Sequence, residues 1–122
     1  MVRTITTHHT HDASKALTLD AVEDDSGEPY VYVLGINGAD GVTLESGHLQ
    51  FQRGPLRDGV NGISDEVLLA IVIDRLEHAE RASPRGYEEC DWALTYARAT
   101  MGHLKLLTKR RAKEHRPDKV SP

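Results

Sequence analysis

The segment Gly59-Val60-Asn61-Gly62-Ile63-Ser64-Asp65-Glu66-Val67-Leu68-Leu69-Ala70-Ile71-Val72-Ile73-Asp74-Arg75-Leu76 constrains the fold more than any other part of the chain. A glycine-rich loop runs into a stretch in which Leu68, Leu69, Val72, Ile73 and Leu76 recur at helical spacing. Ser64 is placed to accept hydrogen bonds from the free N–H groups of the first turn. Asp65 and Glu66 fall at the positive end of the helix dipole, and Ile63 can pack on Leu68 as a staple. The apolar stripe is too broad for a lone helix to hide from water, so a partner surface is required.

A second helix supplies part of that surface. Ala82-Ser83-Pro84-Arg85-Gly86 breaks the first helix, Pro84 suits a helix start, and Glu88 and Glu89 fit the first turn that follows. The second helix is expected to run to about Ala112. Cys90, Leu94, Ala97, Met101 and Leu104 form one stripe on it, widened by Trp92, Tyr96, Ala99 and Leu106. Both helices are apolar on more than one side. One flank is therefore expected to pack on a sheet or on the hairpin mate, and the other on a second subunit.

The first half of the chain reads as strands. Lys15 to Val22 alternates, Pro29 to Ile36 is rich in Tyr and Val, and Asp24-Asp25-Ser26-Gly27 is the turn between them. A third strand is expected over Gly47 to Gln52, with Leu49 and Phe51 on one face and His48, Gln50 and Gln52 on the other. Asn37 to Gly41 is the loop before it. Met1 to Thr7 is either a short strand or a mobile arm.

The expected architecture is α+β, a small N-terminal antiparallel β-sheet followed by a C-terminal antiparallel helical hairpin that oligomerises. At 122 residues the chain is expected to be one domain. It is expected to comprise a β-rich part (1–58), the hairpin (63–113) and a disordered tail (114–122). Aromatic residues are only 5% of the chain, so its core depends on Leu, Val, Ile and Ala, and self-association would help it. Cys90 is the only cysteine, which rules out a disulfide within the chain. With no apolar signal-like start and no membrane-length apolar run, a cytoplasmic protein without membrane contact is expected.

The formal charge of −4 hides an asymmetry. Between Lys105 and Lys119 stand seven basic residues, Lys105, Lys109, Arg110, Arg111, Lys113, Arg116 and Lys119, against Glu114 and Asp118. Such a cluster attracts phosphates in nucleic acid, in a small nucleotide or on a partner; the alternative is a solvated helix end.

Three local groups invite a chemical reading. His8-His9-Thr10-His11-Asp12 offers metal-ligand types, but adjacent histidines point opposite ways in a strand and no cysteine supports them. No resident metal or cofactor is expected. Cys90 lies on the apolar helix stripe, where thiols are usually inert. Gln52-Arg53-Gly54-Pro55-Leu56-Arg57-Asp58-Gly59 carries two arginines between a strand end and a helix start, which is material for binding an anion. It lacks the ending of a P-loop, so nucleotide hydrolysis is not implied. The other reading is a turn with incidental surface arginines.

Phe51-Gln52-Arg53-Gly54-Pro55, then Gly59-Val60-Asn61-Gly62-Ile63, then Glu66 to Leu76 together resemble the Acb/Tad hairpin-domain family of phage anti-defence proteins. That family comprises Thoeris anti-defence protein one and anti-CBASS protein two. The His8 to Ser14 segment and the following strands resemble its Thoeris-type members, so the resemblance covers roughly residues 1–112.

The resemblance implies a protein that is not an enzyme. It would be a sponge that binds immune second messengers without degrading them, acting in the cytoplasm of an infected bacterium. The implied ligands are cyclic ADP-ribose isomers or cyclic di- and trinucleotides. The implied assembly is a homo-oligomer, dimer or hexamer, joined through the hairpins, with ligands held between subunits.

Arg53, Gly54, Pro55, Glu89, Thr108 and Arg111 match family positions, and the chemistry of the residues themselves adds Arg57, Tyr87, His103 and Lys105. Tyr87 can stack on a base. The chain also departs from the family pattern. Glu80 and Cys90 stand where an aromatic and an Asn are usual, and Leu107 stands where an Arg is. The alternative function is a small regulatory adaptor that binds nucleic acid or a partner protein through residues 105–119.

Overall fold

The computed structural model describes residues 1–82 and 86–114. The chain divides into two compact units, with the boundary between Ile63 and Ser64.

The first unit is a four-stranded antiparallel sheet in sequence order: β1 (Val2–Thr4), β2 (Leu17–Glu23), β3 (Pro29–Asn37) and β4 (Thr43–Gln50). Both hairpin connections are built by aspartate. The Asp24 carboxylate accepts the backbone N–H of Ser26 at 2.8 Å and of Glu28 at 3.0 Å. That of Asp40 accepts the N–H of Val42 at 3.1 Å. Gly27 and Gly41 take the left-handed conformations that such turns demand, with φ of 85° and 83°.

Strand register sorts the side chains. Leu17, Leu19 and Ala21 lie opposite Ile36, Leu34 and Tyr32, placing all six on one face, with Leu49 paired to Tyr32 beyond them. Ala21 is fully buried, and Phe51 meets Tyr32 edge to face with centroids 5.4 Å apart. The Leu17, Leu34 and Ile36 end of the same face stays open to solvent.

The expected strands over Lys15–Val22 and Pro29–Ile36 are found: the first is shifted to Leu17–Glu23, and the second starts at Pro29 as expected and runs one residue further, to Asn37. The third strand begins at Thr43 rather than Gly47 and ends at Gln50. The turn closed by Gly38 N–H to the Val42 carbonyl (2.8 Å) is tight enough for pairing to resume at once, with Asn37 opposite Thr43. Gly47 is a position inside the strand, not its start. Of the two readings of the N-terminus, the short strand holds.

The second unit contains two helices, α1 (Asp65–Ala82) and α2 (Glu88–Glu114). Ser64 caps α1 as expected, its Oγ accepting the N–H of Val67 at 3.2 Å. Tyr87 opens α2, its carbonyl accepting the N–H groups of Cys90 and Asp91. Among the described residues, three side-chain hydrogen bonds run between the helices. Cys90 Sγ donates to the Leu76 carbonyl at 3.7 Å, Arg98 Nη2 to Glu77 at 2.9 Å and Thr108 Oγ1 to Glu66 at 2.7 Å. Partners rise on α1 as they fall on α2 between the last two, so the hairpin is antiparallel.

The inner stripe of α2 is the expected one: Leu94 is 3% exposed, and Cys90, Ala97, Met101 and Leu104 are half-buried. Of the expected α1 stripe, Leu69, Ile73 and Leu76 are half-buried, whereas Leu68 and Val72 are exposed. The break at Ser83-Pro84-Arg85 and the tail after Glu114, with Arg116, Pro117 and Lys119, lie outside the described residues. No helix among the described residues is long and apolar enough to cross a membrane.

Candidate functional site

The arginine loop is built by hydrogen bonds that close its two ends. Phe51 and Ile63 form a parallel bridge, in which Gln52 N–H donates to the Ile63 carbonyl and Ile63 N–H to that of Gln50, each at 2.8 Å. The chain between them is held from inside by Gln52. Its side-chain oxygen accepts the N–H groups of Asn61 (2.9 Å) and Gly62 (3.2 Å), and its amide nitrogen donates to the Gly59 carbonyl at 2.8 Å.

Asn61 adds a second clasp. Its side chain accepts the Arg53 N–H at 2.7 Å and donates to the Arg53 carbonyl at 2.9 Å, imitating one rung of a strand ladder. Pro55 then starts a single 3₁₀ turn over Leu56–Asp58, and Gly54 and Gly59 supply the backbone twists with φ of 76° and 132°. A loop satisfied in this way is preorganised before any ligand arrives.

Arg53 is oriented by two groups. Its guanidinium carbon lies 4.0 Å from the centre of the Tyr30 ring, and Nη1 lies 3.2 Å from the Asp24 carboxylate. The side chain is half exposed, and a guanidinium carries five N–H donors, so this ion pair leaves donors for a phosphate. Asp24 itself titrates below its ordinary range, chiefly because the Ser26 hydroxyl donates to it, then because of the Glu28 backbone N–H, with a smaller contribution from Arg53. Arg57 is exposed on the 3₁₀ turn.

The other expected ligand residues fall in two groups on α2. Tyr87 and Glu89 are exposed at its start; His103, Lys105, Thr108 and Arg111 are exposed toward its end. Glu89 and Arg111 are six helical turns apart, about 33 Å. One α2 therefore does not bring them to one ligand. Thr108 already bonds Glu66 across the hairpin, and helical spacing puts His103 on the opposite side of α2 from it.

The histidine run is tied into the fold, with His8 Nδ1 buried and without a hydrogen-bond partner among the described residues. His8 Nε2 donates to the Leu17 carbonyl at 2.6 Å, and the rings of His8 and His9 meet edge to face at 4.4 Å. The Ser14 hydroxyl accepts the N–H groups of Thr10 and His11 and donates to the His11 carbonyl at 2.6 Å. The described residues contain no group of three or more His, Cys, Asp or Glu able to hold a metal ion.

The loop-closing roles of Gln52 and Asn61 leave little trace in the sequence beyond Asn61-Gly62, a turn-type dipeptide that marks the spot. A further unforeseen feature is the pairing of Trp92 with Tyr96, four residues apart on α2. Their rings stack at 6.0 Å, the indole N–H donates to Glu88, and both side chains are more than half exposed. No protein-family model and no curated protein sequence matches this chain.

Proposed function

We propose that the chain is a sponge: a non-catalytic protein that binds cyclic nucleotide or cyclic ADP-ribose signals and withholds them from their effectors, as the resemblance to the Acb/Tad hairpin-domain family implies. The observation that carries this reading is the arginine loop. Arg53 is aimed by Tyr30 and Asp24 on a loop held rigid by Gln52 and Asn61, which is what a phosphate site needs to bind tightly without reorganising.

The exposed outer faces of α1 and α2 support assembly as a dimer or hexamer. Assembly would let the two groups of residues on α2 meet on one ligand from different subunits. A pocket closed between subunits buries most of its ligand and releases it slowly, which suits sequestration.

The test is a panel of cyclic ADP-ribose isomers and cyclic di- and trinucleotides incubated with the protein, then heat denaturation and chromatography. The expected result is depletion of at least one signal and its release unchanged. Arg53→Ala should weaken binding by roughly 10- to 100-fold, the loss of a hydrogen bond to a charged group. Absence of binding to every member of the panel refutes the reading, and recovery of a cleaved product refutes its non-catalytic part.

A second reading rests on the exposed Lys105, Lys109, Arg110, Arg111 and Lys113 at the end of α2. It is an adaptor for nucleic acid, whose binding would fall steeply with added salt. A salt-insensitive or absent mobility shift rejects it.

A further inference from the structure

The two edges of the sheet are finished differently. On the β2 side the edge is blunted: β1 pairs with residues 20–22, Ile5 N–H donates to the Leu19 carbonyl at 2.8 Å, and His8 Nε2 donates to that of Leu17 at 2.6 Å. The β4 edge is blunted only at its ends. Leu44 is a bulge, the extra residue between the pairs Asn37 with Thr43 and Ile36 with Glu45. At the other end Ile63 takes the place beside Phe51 and donates to the Gln50 carbonyl. Residues 45–49 are left as a straight, uncovered stretch without Lys or Pro, and its midpoint is Gly47.

The backbone of that stretch is half used. Phe51 N–H donates to the Tyr30 carbonyl, so by alternation Leu49, Gly47 and Glu45 turn their backbone groups to β3, and Ser46 and His48 turn theirs outward. The N–H and C=O groups of Ser46 and His48 have no hydrogen-bond partner among the described residues. Gly47 is the second sign. Its φ is not positive and a Cβ there meets nothing within 4 Å, so the chain itself does not call for a glycine. A glycine inside a strand commonly marks the close approach of another backbone.

We propose that this stretch pairs with a second copy of the chain: two β4 edges run antiparallel about a twofold axis at Gly47, joining the two sheets into one. Ser46 then exchanges both backbone hydrogen bonds with the partner's His48, and His48 with the partner's Ser46. Gly47 meets the partner's Gly47 as the pair without hydrogen bonds, where Cα atoms come within about 4.5 Å.

The neighbouring registers are disfavoured. An axis at Ser46 puts the two Glu45 carboxylates on diagonal positions of one face, about 7–8 Å apart, where they repel. An axis at His48 asks for the partner's Gln50 carbonyl, which Ile63 already occupies. With the axis at Gly47, Glu45 stands opposite the partner's Leu49 and the two carboxylates are about 13 Å apart along the strands. The paired stretch also stops short of the Leu44 bulge and the Ile63 bridge on both copies. Two outward residues per strand make a small contact, which forms at about millimolar chain concentration rather than in dilute solution.

The test is NMR on the full chain in an equal mixture of carbon-13-labelled and unlabelled protein at about 1 mM, a concentration at which a weak pair is populated. The expected result is an isotope-filtered cross-peak between Gly47 Hα atoms of different copies. The Ser46 and His48 amides should exchange with solvent roughly tenfold more slowly at that concentration than after hundredfold dilution.

Ser46→Pro should remove both signals and keep the sheet folded, because the N–H it deletes points outward. His48→Pro should do the same by the same geometry. Absence of the cross-peak in wild type overturns the proposal, as does a cross-peak that survives in a folded Ser46→Pro chain. Protection of Ser46 and His48 that does not change on dilution also overturns it, since the chain's own backbone then covers the edge. Signal binding by the protein bears on none of these outcomes.

Discussion

A glutamine just past a strand end ordinarily points into water. Gln52 instead turns its amide into the arginine loop and takes both donor and acceptor roles there. Gln52→Leu keeps the bulk and removes the bonds, leaving the Asn61 and Gly62 N–H groups and the Gly59 carbonyl to find other partners. The expected cost is about 1–3 kcal/mol, read as a lower urea midpoint.

Asp24 makes a pH-dependent contribution beside it. Its carboxyl titrates lower in the folded chain than in the unfolded one, so its stabilisation is complete above about pH 4, where a free aspartate titrates. That stabilisation is lost as pH falls through the lower, folded value. Asp24→Asn should abolish this acid-side dependence and loosen Arg53 from Tyr30, read as a change in the Tyr30 ring shifts.

At the scale of elements, the hairpin was legible because apolar spacing and capping agree. Ser64, the acids after it and the stripe through Leu94 and Met101 all stand where a 3.6-residue period places them. Leu94→Ala removes the most buried helix side chain and should cost about 2–5 kcal/mol in chemical denaturation. Ser64→Ala should cost about 1 kcal/mol through the lost cap.

The sheet was legible in order but less so in extent. Gly47 read as a strand start, and only pairing to Leu34 reveals it as an interior position. The loop's arginines were visible as residue types, but what aims Arg53 was not. Tyr30 and Asp24 precede it by more than twenty residues, and such long-range pairings leave no local periodicity. Gly62 is similar: a Cβ there would come within 2.6 Å of the Phe51 carbonyl oxygen and 2.7 Å of the Gln50 oxygen. It stands there because two backbone segments meet, not because a turn needs it.

For the whole molecule the decisive quantity is how little is buried. Among the described residues Ala21 and Leu94 are the only buried apolar side chains, while Val67, Ile71, Trp92, Tyr96, Leu106 and Leu107 are exposed on the helices. The helical spacing of Trp92, Tyr96, Ala99, His103 and Leu106 puts them together on the side of α2 away from the Leu94 stripe.

Burying that face between copies would supply apolar area that a single chain lacks, and would make folding depend on concentration. On the proposed assembly through that face, Trp92→Glu combined with Tyr96→Glu should give monomers by light scattering and lower the melting temperature. Leu94→Ala, acting inside the hairpin, should lower the melting temperature without changing the molar mass of the folded species. A wild-type chain that scatters as a monomer at every concentration, with a melting temperature independent of dilution, removes the assembly and with it the pocket between subunits.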